Sequence, residues 1–511
     1  MRVSERFEKI EEIKELFPEE VGVVGVGVTA YPRSALGYLL PNYQILSLLE
    51  TADLGAIRKI CPVISVEKGL GGECPQKFNT SSILSLPPVK KWLMNFRPRL
   101  FVYKDSEAID RIAQKLGVKI LGTEGKIRKV FENKKFFRQE LVKAGLKPIQ
   151  GCSLQVEELD EKKWEFFRAE WGERLVFQLT DYTVGGGLGT FFISSKKNFM
   201  EFKEFVTRRR EVRKELGKVI EWVNVTKFIQ GETASILGCA TKFGTVTGGL
   251  QKQIIDQPEL AALSGRSGVW LGHDWNVRFS PEAQAEGEKL CQQWGDYIYK
   301  QGYKGIFGLD IIVNKNNQVL PIECNSRYTG AFPMYTMMQI DNHEMPLDVW
   351  HLLEWMGVDY EMDIEAVQKL SRGAKKGAQL LLHNLERKTV TATKTVKVGI
   401  YRMLVRQTKF SACSHLPGEA SGCARKNLSA CAIKYVRPGF SLMDIKGEDE
   451  FILCDRVVGE ESVLKPAERL GRLVFKRQVI NEKGRLLPEI QQVVKVVYES
   501  FELMPVEVKN E

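Results

Sequence analysis

Two carboxylates that strand pairing would bring face to face have the clearest capacity for chemistry in this sequence of 511 residues. Apolar runs on either side of the asparagines at 316–317 predict a β-hairpin, because asparagine tolerates the backbone of a tight turn. If those two residues form the turn, Asp310 lies directly across from Glu323. Since side chains alternate along a strand, Asn325 and then Arg327 fall on the same face as the acidic pair.

Such a pair favours a site for a hard divalent cation. Carboxylates directly opposite each other on a sheet have Cβ atoms roughly 4.5–5.5 Å apart and repel, so a cation between them would stabilise the hairpin. Two carboxylates and the amide oxygen of Asn325 suit magnesium, whereas zinc would prefer histidine or cysteine. A solvent-facing acidic pair, or one that forms a salt bridge with a lysine, is the structural alternative.

A glycine-rich segment at 182–190 is a second candidate for binding chemistry. It follows a strand predicted at 175–179 and precedes one that begins at Phe191. A P-loop or a dinucleotide-binding turn opens a helix, so a loop that joins two strands is neither of these. Its glycines would let backbone N–H groups approach phosphate oxygens, and a plain hairpin tip is the alternative. These glycines are Gly185, Gly186, Gly187 and Gly189.

Residues 1–121 are predicted to form the α/β unit that precedes these motifs. Their helical stretch at 106–116 has Ser106 as its N-cap. The glycines between Gly22 and Gly27 lie inside a strand, so close backbone packing is favoured over a dinucleotide-binding loop. The strands are predicted at 21–28, 61–66 and 100–103.

The rest of the chain divides into two further predicted units. In residues 122–370 helices and strands alternate again, and this unit contains both motifs. Residues 371–511 change to short strands punctuated by glycine and proline, which predicts a β-rich C-terminal domain. Its strands are predicted at 377–383, 397–403 and 450–453.

Composition limits the function classes. Hydrophobic residues make up 43% and charged residues 27%, which is typical of a folded globular protein. The longest apolar stretch, 21–31, is shorter than the roughly 18–20 residues of a membrane helix. Ten cysteines without paired spacing indicate reduced thiols and a cytoplasmic location. Only Cys413, Cys423 and Cys431 cluster, and incidental thiols are favoured over a zinc site there.

The formal charge of +10 suits anionic small molecules. The basic residues lack interleaved aromatic residues, so a nucleic-acid partner is not favoured. Cys324 lies between two predicted ligands, and strand alternation turns it to the opposite face as a buried structural thiol. His273 belongs either to an acceptor-site loop or to the surface.

Taken together and in this order, these elements resemble the ATP-grasp superfamily. The helix at 133–145 looks like the segment that carries an ATP-contacting lysine, here Lys134. Gln178 stands where a second lysine is usual, at the end of the strand before the glycine loop. Residues 225–232 resemble the hinge strand that binds adenine through its backbone. Its candidate residues are Thr226, Lys227, Phe228 and Ile229, with Glu232 accepting the ribose hydroxyls.

The resemblance implies an ATP-grasp fold with an N-terminal α/β domain and a β-rich C-terminal domain. It implies that Asp310, Glu323 and Asn325 bind Mg²⁺ or Mn²⁺, and that Arg327 and Lys134 are catalytic. The implied reaction uses ATP to activate a small-molecule carboxylate as an acyl phosphate, which an amine then attacks.

Two other functions stay open at the level of sequence. One is an enzyme that uses bicarbonate, similar to biotin carboxylase or carbamoyl-phosphate synthetase. The other is an ATP-binding regulatory protein with weak catalysis, which Gln178 makes conceivable. The expected assembly is a homodimer, since dimers are the commonest oligomers.

Overall fold

The computed structural model describes residues 1–71, 75, 77–180, 189–215, 221–262, 268–405 and 431–506. Gly185, Gly186 and Gly187 of the predicted phosphate loop lie outside these residues, as do Cys413 and Cys423 of the thiol cluster. The zinc alternative and the phosphate contacts of those three glycines therefore stay predictions.

Residues 1–121 form short helices around a parallel sheet. The strands are β1 (Arg2–Val3), β2 (Val23–Gly27), β3 (Tyr43–Ser47), β4 (Val63–Ser65), β5 (Arg99–Val102) and β6 (Lys119–Ile120). The helices are α1 (Ile10–Lys14), α2 (Tyr31–Ser34), α3 (Leu54–Ile57), α4 (Val66–Gly69), α5 (Thr80–Ser85), α6 (Pro87–Phe96) and α7 (Glu107–Leu116). The sheet order is β4-β3-β2-β5-β6, and all its neighbouring strands are parallel.

The sequence predictions for this region are confirmed, although β3 is missing from them. The predicted strands correspond to β2, β4 and β5, and the predicted helix is α7. Ser106 caps that helix, since its Oγ accepts a hydrogen bond from the Ile109 N–H at 3.3 Å. The strand glycines serve close packing: the hydroxyl of Tyr43 occupies the place that a Cβ on Gly25 would take.

Residues 122–371 contribute a small antiparallel sheet and half of a large one. The strands are β7 (Gly151–Gln155), β8 (Leu175–Leu179), β9 (Thr190–Ile193), β10 (Trp222–Lys227), β11 (Gly231–Thr241), β12 (Gly244–Thr247), β13 (Gln251–Ile255), β14 (Trp270–Asp274), β15 (Gly305–Asn314), β16 (Val319–Asn325) and β17 (Glu361–Met362). The helices are α8 (Gly125–Glu132), α9 (Lys134–Lys143), α10 (Glu161–Trp171), α11 (Lys196–Glu215), α12 (Pro281–Lys300), α13 (Phe332–Asp341), α14 (Leu347–Met356) and α15 (Ile364–Ser371). The small sheet has the order β7-β10-β8-β9.

The C-terminal region is rich in strands, as predicted. The strands are β18 (Ala378–His383), β19 (Val390–Ala392), β20 (Gly399–Val405), β21 (Cys431–Arg437), β22 (Glu450–Cys454), β23 (Val463–Leu464), β24 (Arg469–Phe475) and β25 (Leu503–Pro505), and one helix, α16, spans Pro488–Ser500. The predicted strands at 377–383, 397–403 and 450–453 correspond to β18, β20 and β22.

The large sheet runs through the second and third predicted units. Its order is β16-β15-β11-β13-β14-β18-β24-β22-β20-β21, with β12 paired to β11. The junction is the antiparallel pair of β14 and β18. The N-terminal strand β1 pairs with β17, which ties the first unit to the second. The domain boundaries at 121 and 370 stay predictions. In the part of the chain that the structure describes, no helix is both long and apolar enough to span a membrane.

Candidate active site

The hairpin of β15 and β16 places the two carboxylates opposite each other, as the sequence predicts. Asp310 pairs with Glu323, and Gly308 pairs with Asn325. On the other face Cys324 is buried, and the indole N–H of Trp294 lies 3.3 Å from its sulfur, which confirms a structural thiol.

The prediction of a two-residue turn is wrong. The Asn314 N–H donates to the Gln318 carbonyl at 3.0 Å, so three residues form the turn, and Asn317 adopts a left-handed backbone with φ of 61°. A bulge beyond Asp310 then leaves Ile322 as one extra residue on β16. The longer turn and the bulge offset each other, which restores the predicted pairing at the carboxylates.

The carboxylates have different partners. Glu323 forms an ion pair with the ammonium of Lys134 at the start of α9, so the lysine-paired alternative describes Glu323 in this structure. No cation contacts Asp310 in the described part of the chain. Its oxygens accept hydrogen bonds from the amides of Gln253 at 2.8 Å and Asn325 at 3.0 Å.

Because their partners differ, the pKa values of the two carboxyl groups shift in opposite directions. Burial, and then the facing Glu323, raise the pKa of Asp310. Burial alone would raise the pKa of Glu323 too, but Lys134 holds it below its ordinary value. The hairpin therefore holds one stable carboxylate and one carboxyl group whose negative charge lacks a cationic partner.

Arg327 completes the cluster from the end of β16. Its guanidinium donates to the amide oxygen of Asn325 at 2.7 Å, the hydroxyl of Tyr103 at 2.9 Å and the carboxylate of Glu132 at 3.0 Å. Burial alone would raise the pKa of Glu132, but Arg327 and Arg128 lower it to about 2. Glu132 thus stays charged and fixes the orientation of Arg327.

The side chains of the acidic pair fit a hard cation that takes only a few ligands from the protein. Asp310 and Glu323 supply carboxylate oxygens, and the amide oxygen of Asn325 lies among them, at present bound to Arg327. No group of three or more His, Cys, Asp and Glu side chains within the described ranges is arranged to hold a metal ion. The fit is therefore to an ion such as Mg²⁺ that takes its other ligands from phosphates or water.

Gln178 lies in a buried polar row across the small sheet. Its side-chain oxygen accepts a hydrogen bond from Asn224 at 3.3 Å, and Asn224 is itself contacted by Arg138 from α9 at 2.8 Å. Sequence reasoning missed Arg138. The signal was available, because Arg138 follows Lys134 by four residues and so lies on the same helix face. Helix α9 thus contacts both the acidic hairpin and the row of Gln178.

The predicted hinge joins the two sheets. Backbone N–H groups of Lys227 and Phe228 already donate to the carbonyls of Gln150 at 2.9 Å and Arg174 at 3.2 Å. Among the described residues, no acceptor lies within hydrogen-bond distance of the Ile229 N–H. Thr226 is buried in β10, so its side chain is not presented to a ligand. Within the described residues, the N–H groups of Ile229 and Gln230 are therefore two donors of this segment that form no recorded hydrogen bond.

Two further predicted residues lie beside the hinge and the glycine loop. Glu232 at the start of β11 is exposed and forms an ion pair with Lys252 at 2.5 Å. The carbonyl of Gly189 accepts from the Leu179 N–H at 3.0 Å, and β8 pairs with β9. This confirms that the glycine loop joins two strands.

His273 is neither in a loop nor at the surface. It is buried on β14, and both ring nitrogens contact polar side chains: Ser235 at 3.2 Å and Gln379 at 3.2 Å. The two alternatives predicted for this residue are therefore wrong, because β14 lies in the interior of the large sheet.

Known proteins match this chain in three-dimensional structure but not in sequence. No protein-family model and no curated protein matches the sequence. The biotin carboxylase domain of Hydrogenobacter thermophilus 2-oxoglutarate carboxylase, solved with MgADP, ADP and bicarbonate, matches with a TM-score of 0.55 and 12% identity over 95% of this chain and 91% of that one. Biotin carboxylase from Campylobacter jejuni matches with a TM-score of 0.58 and 12% identity over 94% and 98%.

A third match is N5-carboxyaminoimidazole synthase from Aspergillus clavatus, solved with ADP and an aminoimidazole ribonucleotide. Its TM-score is 0.53, with 11% identity over 94% of this chain and all of that one. At these identities the matches show a shared fold.

Proposed function

We propose, from the ATP-grasp fold that this chain shares with those enzymes, that it is a Mg²⁺-dependent ligase that forms carbon–nitrogen bonds and releases ADP. A substrate carboxylate would attack the γ-phosphate of ATP to give an acyl phosphate and ADP, and an amine would then displace phosphate. The convergence of Asp310, Glu323, Lys134 and Arg327 on one face of the hairpin carries this proposal.

Charge complementarity supports these roles. Both steps concentrate negative charge on oxygens, so fixed positive charge is the main catalytic device. Asp310, Glu323 and Asn325 would hold Mg²⁺ or Mn²⁺, which when bound neutralises phosphate oxygens. Lys134 neutralises Glu323 in the present structure and is placed to turn toward phosphates when that carboxylate has another partner. Arg327, fixed by Glu132, would orient the carboxylate that is activated.

The nucleotide would lie between the two sheets. The Ile229 N–H would donate to the adenine edge, and the exposed Glu232 would accept from the ribose hydroxyls. Arg138 contacts Asn224, the hydrogen-bond partner of Gln178, and would supply the positive charge that a lysine at position 178 would bring. The glycine loop at 182–190 would cover the phosphates with its backbone N–H groups.

Bicarbonate as the activated carboxylate is a second candidate. The observation that favours it is the structural match to a carboxylase domain that was solved with bicarbonate. In that case bicarbonate alone should stimulate slow ATP hydrolysis, whereas a ligase for an organic acid should need its own substrate.

The experiment is a coupled ADP-release screen of carboxylic acids, including bicarbonate, crossed with amines. Wild type is expected to release ADP with one acid–amine pair and only with Mg²⁺ or Mn²⁺. The Asp310→Asn, Glu323→Gln double variant should lose at least about a hundredfold of that rate. Activity that survives in the double variant would refute the metal assignment. Tight ATP binding without turnover across the whole panel would instead favour a regulatory protein.

A further inference from the structure

A row of buried, uncharged polar side chains crosses the large sheet next to Asp310. Ser235 on β11 lies directly opposite Asp310 on β15. Gln251 on β13 lies opposite Ser235, and His273 on β14, offset by two residues from Gln251, lies opposite Gln379 on β18. Each of these four side chains is no more than 4% exposed. Because a buried polar atom must be hydrogen-bonded, the direction of every bond in the row can be worked out.

Two side chains that can only donate fix the orientation of the amides. The guanidinium of Arg472 contacts the side-chain oxygen of Gln379. The indole N–H of Trp275 contacts the side-chain oxygen of Gln251 at 2.6 Å. Arginine and tryptophan have no acceptor atom, so each amide must turn its oxygen toward its partner and its NH₂ group into the row.

The tautomer of His273 follows from this. The NH₂ group of Gln379 donates to the Gly330 carbonyl at 3.0 Å and to Nδ1 of His273 at 3.2 Å. Burial, and then Arg472, lower the pKa of His273 to about 3, so the ring is neutral with one proton. With Nδ1 accepting, that proton is on Nε2, and His273 donates to the hydroxyl oxygen of Ser235 at 3.2 Å.

Ser235 therefore accepts twice. Its second donor is the NH₂ group of Gln251 at 2.7 Å. A hydroxyl has two acceptor lone pairs and one proton, so only the O–H of Ser235 stays unused. Among the described residues, no hydrogen bond from this O–H to an acceptor is formed, and the oxygens of the facing Asp310 accept from Gln253 and Asn325 instead. Both donors come from β13 and β14, which leaves the O–H for a group above the sheet or on the side of β15.

We propose that the Ser235 hydroxyl donates a hydrogen bond to an oxygen of the substrate carboxylate that is activated by ATP, held beside Asp310. This inference rests on the proposed ligase function and adds a specificity-determining contact to it. A neutral donor aligned in advance by the row would favour an oxygen that carries negative charge, and it would need no rearrangement when that carboxylate binds.

The test separates Ser235 from the nucleotide site. The probe is ¹³C-labelled acetate or bicarbonate, titrated by ¹³C NMR into the full chain with Mg²⁺ and a non-hydrolysable ATP analogue. Ser235→Ala should weaken binding of the labelled carboxylate by about ten- to a hundredfold, the loss expected for a hydrogen bond to a charged group. The Kd of the nucleotide should stay as in wild type. Ser235→Thr, which keeps the hydroxyl, should restore most of the carboxylate binding that Ser235→Ala loses.

A second variant reverses the row and keeps Ser235 in place. In Gln379→Glu both side-chain oxygens accept, so His273 would move its proton to Nδ1 and accept from Ser235 at Nε2. That would withdraw the O–H from the substrate. Imidazole ¹⁵N chemical shifts should report the Nε2–H tautomer of His273 in wild type and the Nδ1–H tautomer in this variant, with carboxylate binding weakened as in Ser235→Ala.

An Nδ1–H tautomer in wild type would overturn the inference, as would unchanged carboxylate binding in Ser235→Ala or a wild type that binds neither probe. The ¹⁵N measurement of the His273 tautomer does not require the protein to turn over a substrate. A failure of the ADP-release screen would therefore count against the proposed function and leave the direction of the Ser235 hydroxyl as a separate result.

Discussion

Two aspartates, the partly buried Asp310 and the buried Asp455, lie at opposite ends of the same polar row and have opposite kinds of partners. Asp455 is in contact with two guanidinium groups, Arg469 at 2.7 Å and Arg472 at 2.9 Å, and accepts from the Thr29 hydroxyl at 2.9 Å. Asp310 has two amide donors and faces a second carboxylate. One carboxylate is fully compensated, and the other lacks a cation.

The pKa of each aspartate shifts in the direction that its neighbours favour. Burial alone would raise the pKa of Asp455, but Arg469 and Arg472 hold it below its ordinary value. At Asp310 burial and Glu323 act in the same direction and raise the pKa. Because a compensated ion pair has no capacity left for a ligand, the difference favours a structural role for Asp455 and supports the binding role proposed for Asp310.

The largest effect that this comparison predicts is on stability at Asp455. Asp455→Asn would leave two guanidinium groups buried near a neutral amide, which should lower the free energy of unfolding by about 3–5 kcal/mol. Urea denaturation measures it.

Asp310→Asn is the matched control for that experiment. It removes the repulsion with Glu323 and keeps an amide that can bond to its neighbours, so the change should stay within about 1 kcal/mol. Equal losses in the two variants would remove the distinction between the two aspartates.

The row between the aspartates predicts an acid-sensitive fold. The pKa of His273 is lowered to about 3, so the unfolded chain takes up a proton below its ordinary pKa of about 6.5 while the folded chain does not. Stability should therefore fall as the pH drops from 6.5 toward 3, and His273 should contribute about 2 kcal/mol of that loss by pH 5.

His273→Gln should reduce the stability difference between pH 7 and pH 5 by that amount. His343→Gln, the same substitution at an exposed site, is the matched control. Unfolding curves at the two pH values measure the difference. A His273 variant that is as acid-sensitive as wild type would show that the ring is not held neutral.

A small effect on stability is predicted at Lys134. Both side chains of its ion pair with Glu323 are about a quarter exposed, so Lys134→Met should cost only about 1 kcal/mol. The same change removes the competitor for a metal at Glu323. Mn²⁺ binding without nucleotide should therefore become roughly fivefold tighter. Isothermal titration calorimetry measures this, and weaker Mn²⁺ binding would indicate that Lys134 is not a substitute for the ion.

The sequence predicted the acidic pair because strand alternation is a local rule. The two errors at Asn317 and Ile322 offset each other, so the pairing of Asp310 with Glu323 was right although the turn was wrong. Two hydrogen-bond partners in the site, Gln253 on β13 for Asp310 and Tyr103 just after β5 for Arg327, come from elements far along the chain. Their contacts depend on sheet order, which local patterns do not specify.

The same reason explains why the continuity of the large sheet is not predicted. Three strands of the C-terminal region are predicted individually, at 377–383, 397–403 and 450–453, but their continuation of the sheet that begins at β16 is not. That continuation through β14 and β18 is what brings Arg472 and Gln379 near His273. The role of Lys134 rests on resemblance to a family, whereas the glycines at 182–190 by themselves leave phosphate binding and a plain hairpin tip both open.

Binding of Mn²⁺ with a non-hydrolysable ATP analogue, followed by electron paramagnetic resonance, tests the incomplete carboxylate pair most directly. Wild type should bind the ion together with the nucleotide, and the Asp310→Asn, Glu323→Gln variant should bind it at least about tenfold more weakly while retaining its fold. Equal Mn²⁺ binding in the two proteins would contradict the assignment of the hairpin as the metal site.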